Sequence, residues 1–393
     1  MKSWKFWLGA AVSVAALAFF CRDLDPHDLW DSISSIPAGN LLYLVVAILL
    51  LYAGIYVRGL RWQLFFKDIR RVPYKRLFAI EMVGFMGNSI YPFRAGELMR
   101  VYLLGRQEKV GVSSSLATIA LERLFDLLAV IGALVLVLMV PPFPPAMRAK
   151  HPEVFETMTS FGYATGLSFL VMLLAVVMMV FQPRLCERVA AFVLDLAARV
   201  FGKVVAVCIG LLAGLVPVSR RDTASRFGEK TQDFLARFEE KVMKQYRSFV
   251  EGLVVLRDWR AIGLSLLYTL VVWWTIAASE YMVVRAFGFT EITFLGTVFI
   301  MMVLAFCVAA PQLPGYIGTF YIAVELSTKI LLDTASRTPE EITASAKAFA
   351  LVLWLVQMLP IILAGFVCLA YLGTSLGKLR HEAAGSAGEG ETG

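Results

Sequence analysis

Long apolar runs separated by short charged stretches make up most of this chain. Apolar positions fill residues 6–20, 41–60, 114–140, 161–181, 260–286 and 342–373 with few interruptions. Most of these runs approach or exceed the ~20 residues that a helix needs to cross a ~30 Å hydrocarbon core. Two further apolar stretches are broken. Residues 77–92 and 95–106 flank one break, and 294–310 and 319–332 flank the other. At 1.5 Å per residue the arms of the first are about 24 and 18 Å long, and the last arm of the second is about 21 Å. Arms of that length do not span comfortably. The pattern predicts an all-α polytopic membrane protein with about six to eight transmembrane helices, two of its apolar stretches being broken, re-entrant helical hairpins. Composition agrees. Of 393 residues, 59% are hydrophobic and 17% charged, where a soluble domain carries about a quarter charged.

Charge orients the runs. Lys2 and Lys5 precede the first, which has the flanks of a signal peptide. No small-x-small cleavage site follows it, so it reads as a retained span with its N-terminus inside. The loop 21–39 carries Asp23, Asp25, Asp28 and Asp31 against Arg22 and suits the outside. Residues 58–76 hold Arg58, Arg61, Lys67, Arg70, Arg71, Lys75 and Arg76 against Asp68. The excess of basic residues predicts a cytoplasmic loop, in which Trp62 and the Phe65–Phe66 pair suggest an interfacial helix. Residues 182–260 carry 14 Lys/Arg and 9 Asp/Glu, which predicts a cytoplasmic helical layer. Its apolar piece 204–218 is too short to be read as a clear span. Lys378 and Arg380 place the C-terminus inside, and the Gly/Ala/Glu-rich tail 374–393 reads as disordered.

The two broken stretches resemble each other. Pro92-Phe-Arg-Ala-Gly96 and Pro314-Gly-Tyr-Ile-Gly318 share Pro-x-x-x-Gly, and Pro311 precedes the second. Each lies between two full spans. Loop charges make the first enter from the cytoplasm and the second from outside. Residues 40–140 and 260–373 therefore read as an inverted-topology repeat, in which paired broken helices point to a transporter binding site. The alternative is that each Pro/Gly cluster joins two ordinary tilted spans. Pro92, Gly96, Pro311, Pro314, Gly315 and Gly318 are the predicted hairpin-tip residues.

Chemistry gathers at the same breaks. Asn88, Arg94, Glu97 and Arg100 lie on the first, and Tyr316 lies on the second. Glu122, Arg123 and Asp126 share a helix, with Glu122 and Asp126 four apart on one face. Half-helix N-termini favour anions, and arginine forks match phosphate. Glu97, Glu122 and Asp126 can balance the arginines, accept a cationic headgroup or carry protons. A mixed-sign pocket of this kind fits a phospholipid head. The bland alternative for Glu122, Arg123 and Asp126 is an ion pair that locks helices together. Cys21, Cys186, Cys208, Cys307 and Cys368 are scattered, and His27, His151 and His381 fall in loops or the tail. Neither set suggests a disulfide framework or a metal site. No nucleic-acid motif, nucleotide-binding loop or cofactor fingerprint appears.

Tyr91-Pro-Phe-Arg-Ala-Gly-Glu-Leu-Met-Arg100, Leu121-Glu-Arg-Leu-Phe-Asp126 and Pro314-Gly-Tyr-Ile-Gly-Thr-Phe320 resemble the lysylphosphatidylglycerol synthase transmembrane, or flippase-like, family. That family includes the membrane half of the multiple peptide resistance factor. The resemblance covers about residues 10–373 and implies a lipid-translocating membrane domain in the cytoplasmic membrane. It places Arg94, Glu97, Arg100, Glu122, Arg123 and Asp126 in the family's conserved positions, and these are the expected substrate-binding residues. The soluble transferase domain of the family's synthases has no counterpart in these residues, so aminoacyl transfer is not expected. The leading expectation is a lipid flippase with a membrane lipid as its partner. An accessory subunit or enzyme of lipid-linked sugar modification, and a secondary transporter of a small anion, stay open. A homo-oligomer and a separate lipid-modifying enzyme are partners the sequence leaves open.

Overall fold

The computed structural model describes residues 36–91, 94–140, 152–194, 240–309, 316–332 and 337–373, with single positions 34, 196, 199 and 237. The span predicted over 6–20, the piece 204–218, Pro92, Pro311, Pro314, Gly315 and the tail 374–393 lie outside the described residues.

The described residues are helical, with no strand among them. In chain order the helices are α1 (Leu41–Phe65), α2 (Tyr74–Ile90), α3 (Ala95–Glu108), α4 (Val112–Met139), α5 (Pro152–Phe181), α6 (Trp259–Ala286), α7 (Phe294–Ala309), α8 (Ile317–Leu332) and α9 (Pro339–Tyr371). Local chemistry explains several ends. Residue 91 turns to extended backbone, as the approach of a proline demands. Thr338 and Glu341 form a capping box at α9, with Pro339 in the first turn. The Asp258 carboxylate accepts from the Arg260 amide, 2.9 Å, at the start of α6. The Lys67 ammonium on the same carboxyl holds it below the ordinary carboxylate range.

Helices α1 and α6 run antiparallel in close contact at the centre. Asn40 Nδ2 donates to the Ala286 carbonyl at one end, and Ser279 Oγ donates to the Ala47 carbonyl further along. Thr275 Oγ1 sits where a side chain on Gly54 would lie, so a small residue there lets the backbones approach. Outward positions such as Leu42, Leu49, Tyr163, Leu167, Leu270 and Val367 are apolar and exposed. In a membrane these are the lipid-facing surface.

The hairpins open at opposite ends. At the basic end, Lys67 pairs with Asp258, Arg76 Nη1 donates to Glu108 Oε1 at 2.6 Å, and Gln107 Nε2 donates to the Leu372 carbonyl at 3.0 Å. These contacts gather the ends of α1, α3 and α9 with the starts of α2 and α6. The opposite end holds the Asn40–Ala286 contact and the Arg337–Glu291 ion pair at 2.9 Å. There Leu331, near the end of α8, packs on Gly296 near the start of α7. The α2–α3 hairpin thus enters from the basic end and the α7–α8 hairpin from the other. Each repeat is span, hairpin, span. The long last helix of each also packs on the other repeat's hairpin, α9 on α2 and α4 on α7.

Two corrections follow. Residues 58–65 are not a separate interfacial helix in a cytoplasmic loop. Helix α1 continues to Phe65, and Arg61, Trp62, Phe65 and Phe66 are fully buried. Basic residues look like a membrane boundary only when no counter-charge meets them, and α4 supplies that counter-charge. Gly96 is not the bend either. The left-handed residue is Arg94, φ 53°, and Gly96 lies in the first turn of α3. Its role is close approach. A Cβ there would stand 1.8 Å from the Gly84 carbonyl oxygen and 2.6 Å from the Asn88 nitrogen. Gly96→Ala is therefore expected to destabilise by at least the ~1–3 kcal/mol typical of overpacking, read as thermal unfolding in detergent. An unchanged midpoint would mean that α2 and α3 do not touch there.

Candidate functional site

The hairpin tips meet in the middle of the bundle. Arg94, at the start of α3, donates from Nη2 to the Val308 carbonyl near the end of α7, 2.8 Å. Tyr316, at the start of α8, is buried beside them. Arg94 and Tyr316 both adopt left-handed backbone, φ 53° and 55°. Non-glycine residues rarely hold that conformation. Strain of this kind persists where the surroundings over-determine it, often at functional sites. Here it falls at matching points of the two repeats.

A cavity of about 240 Å³ opens at this junction. Its apolar walls include Leu51, Ile55, Phe85, Ile276, Met358 and Ile361. Its polar lining is Arg58, Asn88, Ser89, Arg94, Arg123, Tyr316 and Gln357. Among the described residues the lining thus contains three arginines and no carboxylate. It also holds no histidine or cysteine, and among the described residues no cluster of His, Cys, Asp and Glu is arranged to hold a metal.

The carboxylates stand behind the arginines. Glu122 and Asp126 on α4 face Arg58 and Arg61 on α1. Arg58 Nε donates to Glu122 Oε1 at 2.6 Å, and Arg58 Nη2 bonds Asp126 Oδ2. Arg61 gives Nη2 to Asp126 Oδ1 at 2.8 Å and Nη1 to Thr269 Oγ1 at 2.7 Å. Arg100 from α3 donates to Glu122 Oε2 at 2.7 Å, and its guanidinium lies 3.9 Å from the centre of the Trp62 ring. Trp62 in turn donates to Thr118 Oγ1. Glu81 of α2 is buried 3.8 Å from Arg58. Moving these charges out of water is expensive, and only mutual pairing compensates the cost. The i, i+4 acids on α4 and the i, i+3 arginines on α1 interlock as two stripes.

One acid stands nearer the opening. Glu97 Oε1 accepts from Arg123 Nη2 and lies 3.8 Å from Arg94 Nη1. The side chains of Arg94, Arg123 and Glu97 are 29, 33 and 24% exposed, whereas Arg100 and Glu122 are sealed at 1% and 0%. This separates the expected site residues. Asn88, Arg94, Arg123 and Tyr316 line the cavity, and Glu97 neutralises its arginines. Arg100, Glu122 and Asp126, expected from the sequence as substrate contacts, lie outside the cavity lining. Their charges are consumed by Arg58, Arg61 and one another behind the wall. Gly318 lies within α8 and is exposed, and among the described residues nothing comes within 4 Å of where its Cβ would be, so it is not the bend.

Sequence reasoning missed Arg58, Arg61 and Gln357. The signal for the arginines was present. No helix breaker follows Leu41 until Pro73, apart from tolerated glycines, so a helix carrying Arg58 inward was available.

The lysylphosphatidylglycerol synthase TM region matches residues 6–203 and 146–365. Glycosyltransferase AglD of Haloferax volcanii is 28% identical over 134 residues, which are 32% of this chain and 20% of that protein. The chain thus matches one fifth of that relative's length. No solved structure matches the chain. With the two family matches reaching from residue 6 to 365, the chain belongs to the lysylphosphatidylglycerol synthase TM region family.

Proposed function

We propose that this multi-pass membrane protein moves a phosphate-bearing lipid headgroup across the cytoplasmic membrane, with its N- and C-termini on the cytoplasmic side. The observation that carries this reading is the cavity beside the Arg94–Val308 contact of the two oppositely entering hairpins, lined by Arg58, Arg94 and Arg123 and, among the described residues, by no carboxylate. Guanidinium forks bind phosphate oxygens through short, charge-assisted hydrogen bonds. The apolar walls suit the glycerol and upper acyl carbons. Glu97 occupies the arginines when the cavity is empty, and an arriving phosphate takes its place on Arg123 and Arg94. This exchange avoids leaving bare cations in a dry site. The two hairpins offer access from opposite ends, the arrangement that alternating access requires. The family match supports a lipid-related role. A sugar phosphate on a lipid is the second cargo to test, because the relative matched over 134 residues is a glycosyltransferase.

The test is reconstitution into vesicles with acyl-labelled fluorescent phosphatidylglycerol or phosphatidylcholine. Exposure of the inner-leaflet label to an impermeant quencher is followed in time. The expected result is faster exchange of the anionic lipid than in protein-free vesicles, with a smaller gain for the zwitterionic one. If neither phosphatidylglycerol nor a polyprenyl sugar phosphate moves faster than in empty vesicles, the reading fails.

A further inference from the structure

Helix α6 presents Val272 and Ile276 to the cavity, and Glu280 continues that stripe one turn further toward the end opposite the basic cluster. Glu280 is 1% exposed. Its Oε1 accepts from Gln357 Nε2 at 3.0 Å, and its Oε2 has no hydrogen-bond partner. Gln357 itself lines the cavity. The carboxyl therefore sits one amide away from the proposed headgroup site.

Among the described residues no arginine or lysine pairs with it. On α1 the facing polar contact is Ser279 to the Ala47 carbonyl, 2.8 Å. Along Leu41–Ile55 the titratable side chains are Tyr43 and Tyr52. Arg58 and Arg61 lie toward the basic end, where Arg61 meets Thr269, about 16 Å along α6 from Glu280. On α4 the ionisable groups Glu122, Arg123 and Asp126 belong to that lower network. Helix α7 carries only Cys307 as a titratable group. On α9 the nearest is Lys347, ten residues and about 15 Å from Gln357. On α6 itself Tyr281 is adjacent and Arg285 is exposed. An ionised carboxylate in this place would have no counter-charge, so the neutral acid is the resting form. Its unpartnered Oε2 then carries the proton. Glu97, Glu122 and Asp126, weighed from the sequence as proton carriers, are each held by arginine.

We propose that Glu280 is the proton-carrying group of this protein, exchanging a proton with the cavity through its Gln357 wall. Resting on the transport reading above, this couples headgroup movement to proton movement. When the cavity opens to water at the end nearer Glu280, the acid gives its proton to water. It is reprotonated from the other side, when the cavity opens toward the basic end, so that one proton crosses in each cycle. A proton travelling with an anionic phosphate cancels its charge, which lowers the cost of crossing the apolar bundle.

The test uses the full chain in vesicles containing labelled phosphatidylglycerol, with a pH gradient imposed in either direction. Wild type is expected to shift the leaflet distribution with the gradient. Glu280→Gln, which keeps the bond to Gln357 through its carbonyl oxygen, should still exchange lipid but lose the response. A wild-type protein that moves lipid without responding to the gradient overturns the proposal, as does a Glu280→Gln protein that responds normally. Infrared pH titration of the purified protein in lipid gives a readout independent of transport. A titrating carboxylic C=O band that disappears in Glu280→Gln supports the site, and its absence from wild type overturns it. If no lipid moves at all, the transport reading falls and the infrared result alone decides Glu280.

Discussion

Arg58→Leu should be the most damaging single substitution in this protein. It removes the guanidinium that bonds Glu122 at 2.6 Å, holds Asp126 and lies 3.8 Å from Glu81. Breaking a buried pair by deleting one partner costs about 3–5 kcal/mol, because the remaining charge stays buried without compensation. Here several acids share the loss, with Arg61 and Arg100 left to hold Asp126 and Glu122. The expected outcome is a collapse of monodisperse yield and a lower unfolding midpoint in detergent. Arg58→Lys keeps the charge but loses the fork, so it should fall between Leu and wild type. Removing an acid as well, in Arg58→Leu with Asp126→Leu, should recover part of the loss. A stable Arg58→Leu protein with a wild-type midpoint would mean that α1 and α4 are not joined by this network.

The second large effect concerns transport, not folding. Arg94 and Arg123 are partly exposed to the cavity, and each gives up modest contacts when changed: the Val308 carbonyl for Arg94 and Glu97 for Arg123. Hydrogen bonds to charged groups contribute about 1.5–3 kcal/mol each. Losing both from a bound phosphate should lower exchange of anionic lipid by at least ~100-fold. Arg94→Gln with Arg123→Gln is the variant to make, with the unfolding midpoint recorded beside the exchange rate. Normal exchange in a well-folded double variant would remove the headgroup site from this cavity. The Glu280 experiment is separate, since Glu280→Gln leaves the arginines in place.

Much of the architecture was legible before any coordinate. The apolar runs set the long helices, the short arms around the breaks predicted hairpins, and loop charge predicted that they enter from opposite ends. The failures are specific. Arg58 and Arg61 read as loop residues because the basic-residue rule weighs charge by sequence neighbourhood, and their counter-charges lie more than sixty residues away on α4. Arg100, Glu122 and Asp126 looked like binding groups for the related reason that their partners were invisible. Glu97 and Glu122 are alike in sequence context, yet one stands at the opening and the other is sealed.

The sequence by itself determined a helical membrane protein, the two breaks, the Pro-x-x-x-Gly repeat and the types of charge available at them. Those properties are local, written in runs of neighbouring residues and in the length a membrane requires. Only the tertiary structure decided that the tips meet through Arg94 and the Val308 carbonyl, which arginines remain open, and that Glu280 stands without a cation beside Gln357. The reason is that the availability of a buried charge depends on what faces it across a helix interface. Helix crossing and register set that pairing, bringing together residues far apart in the chain.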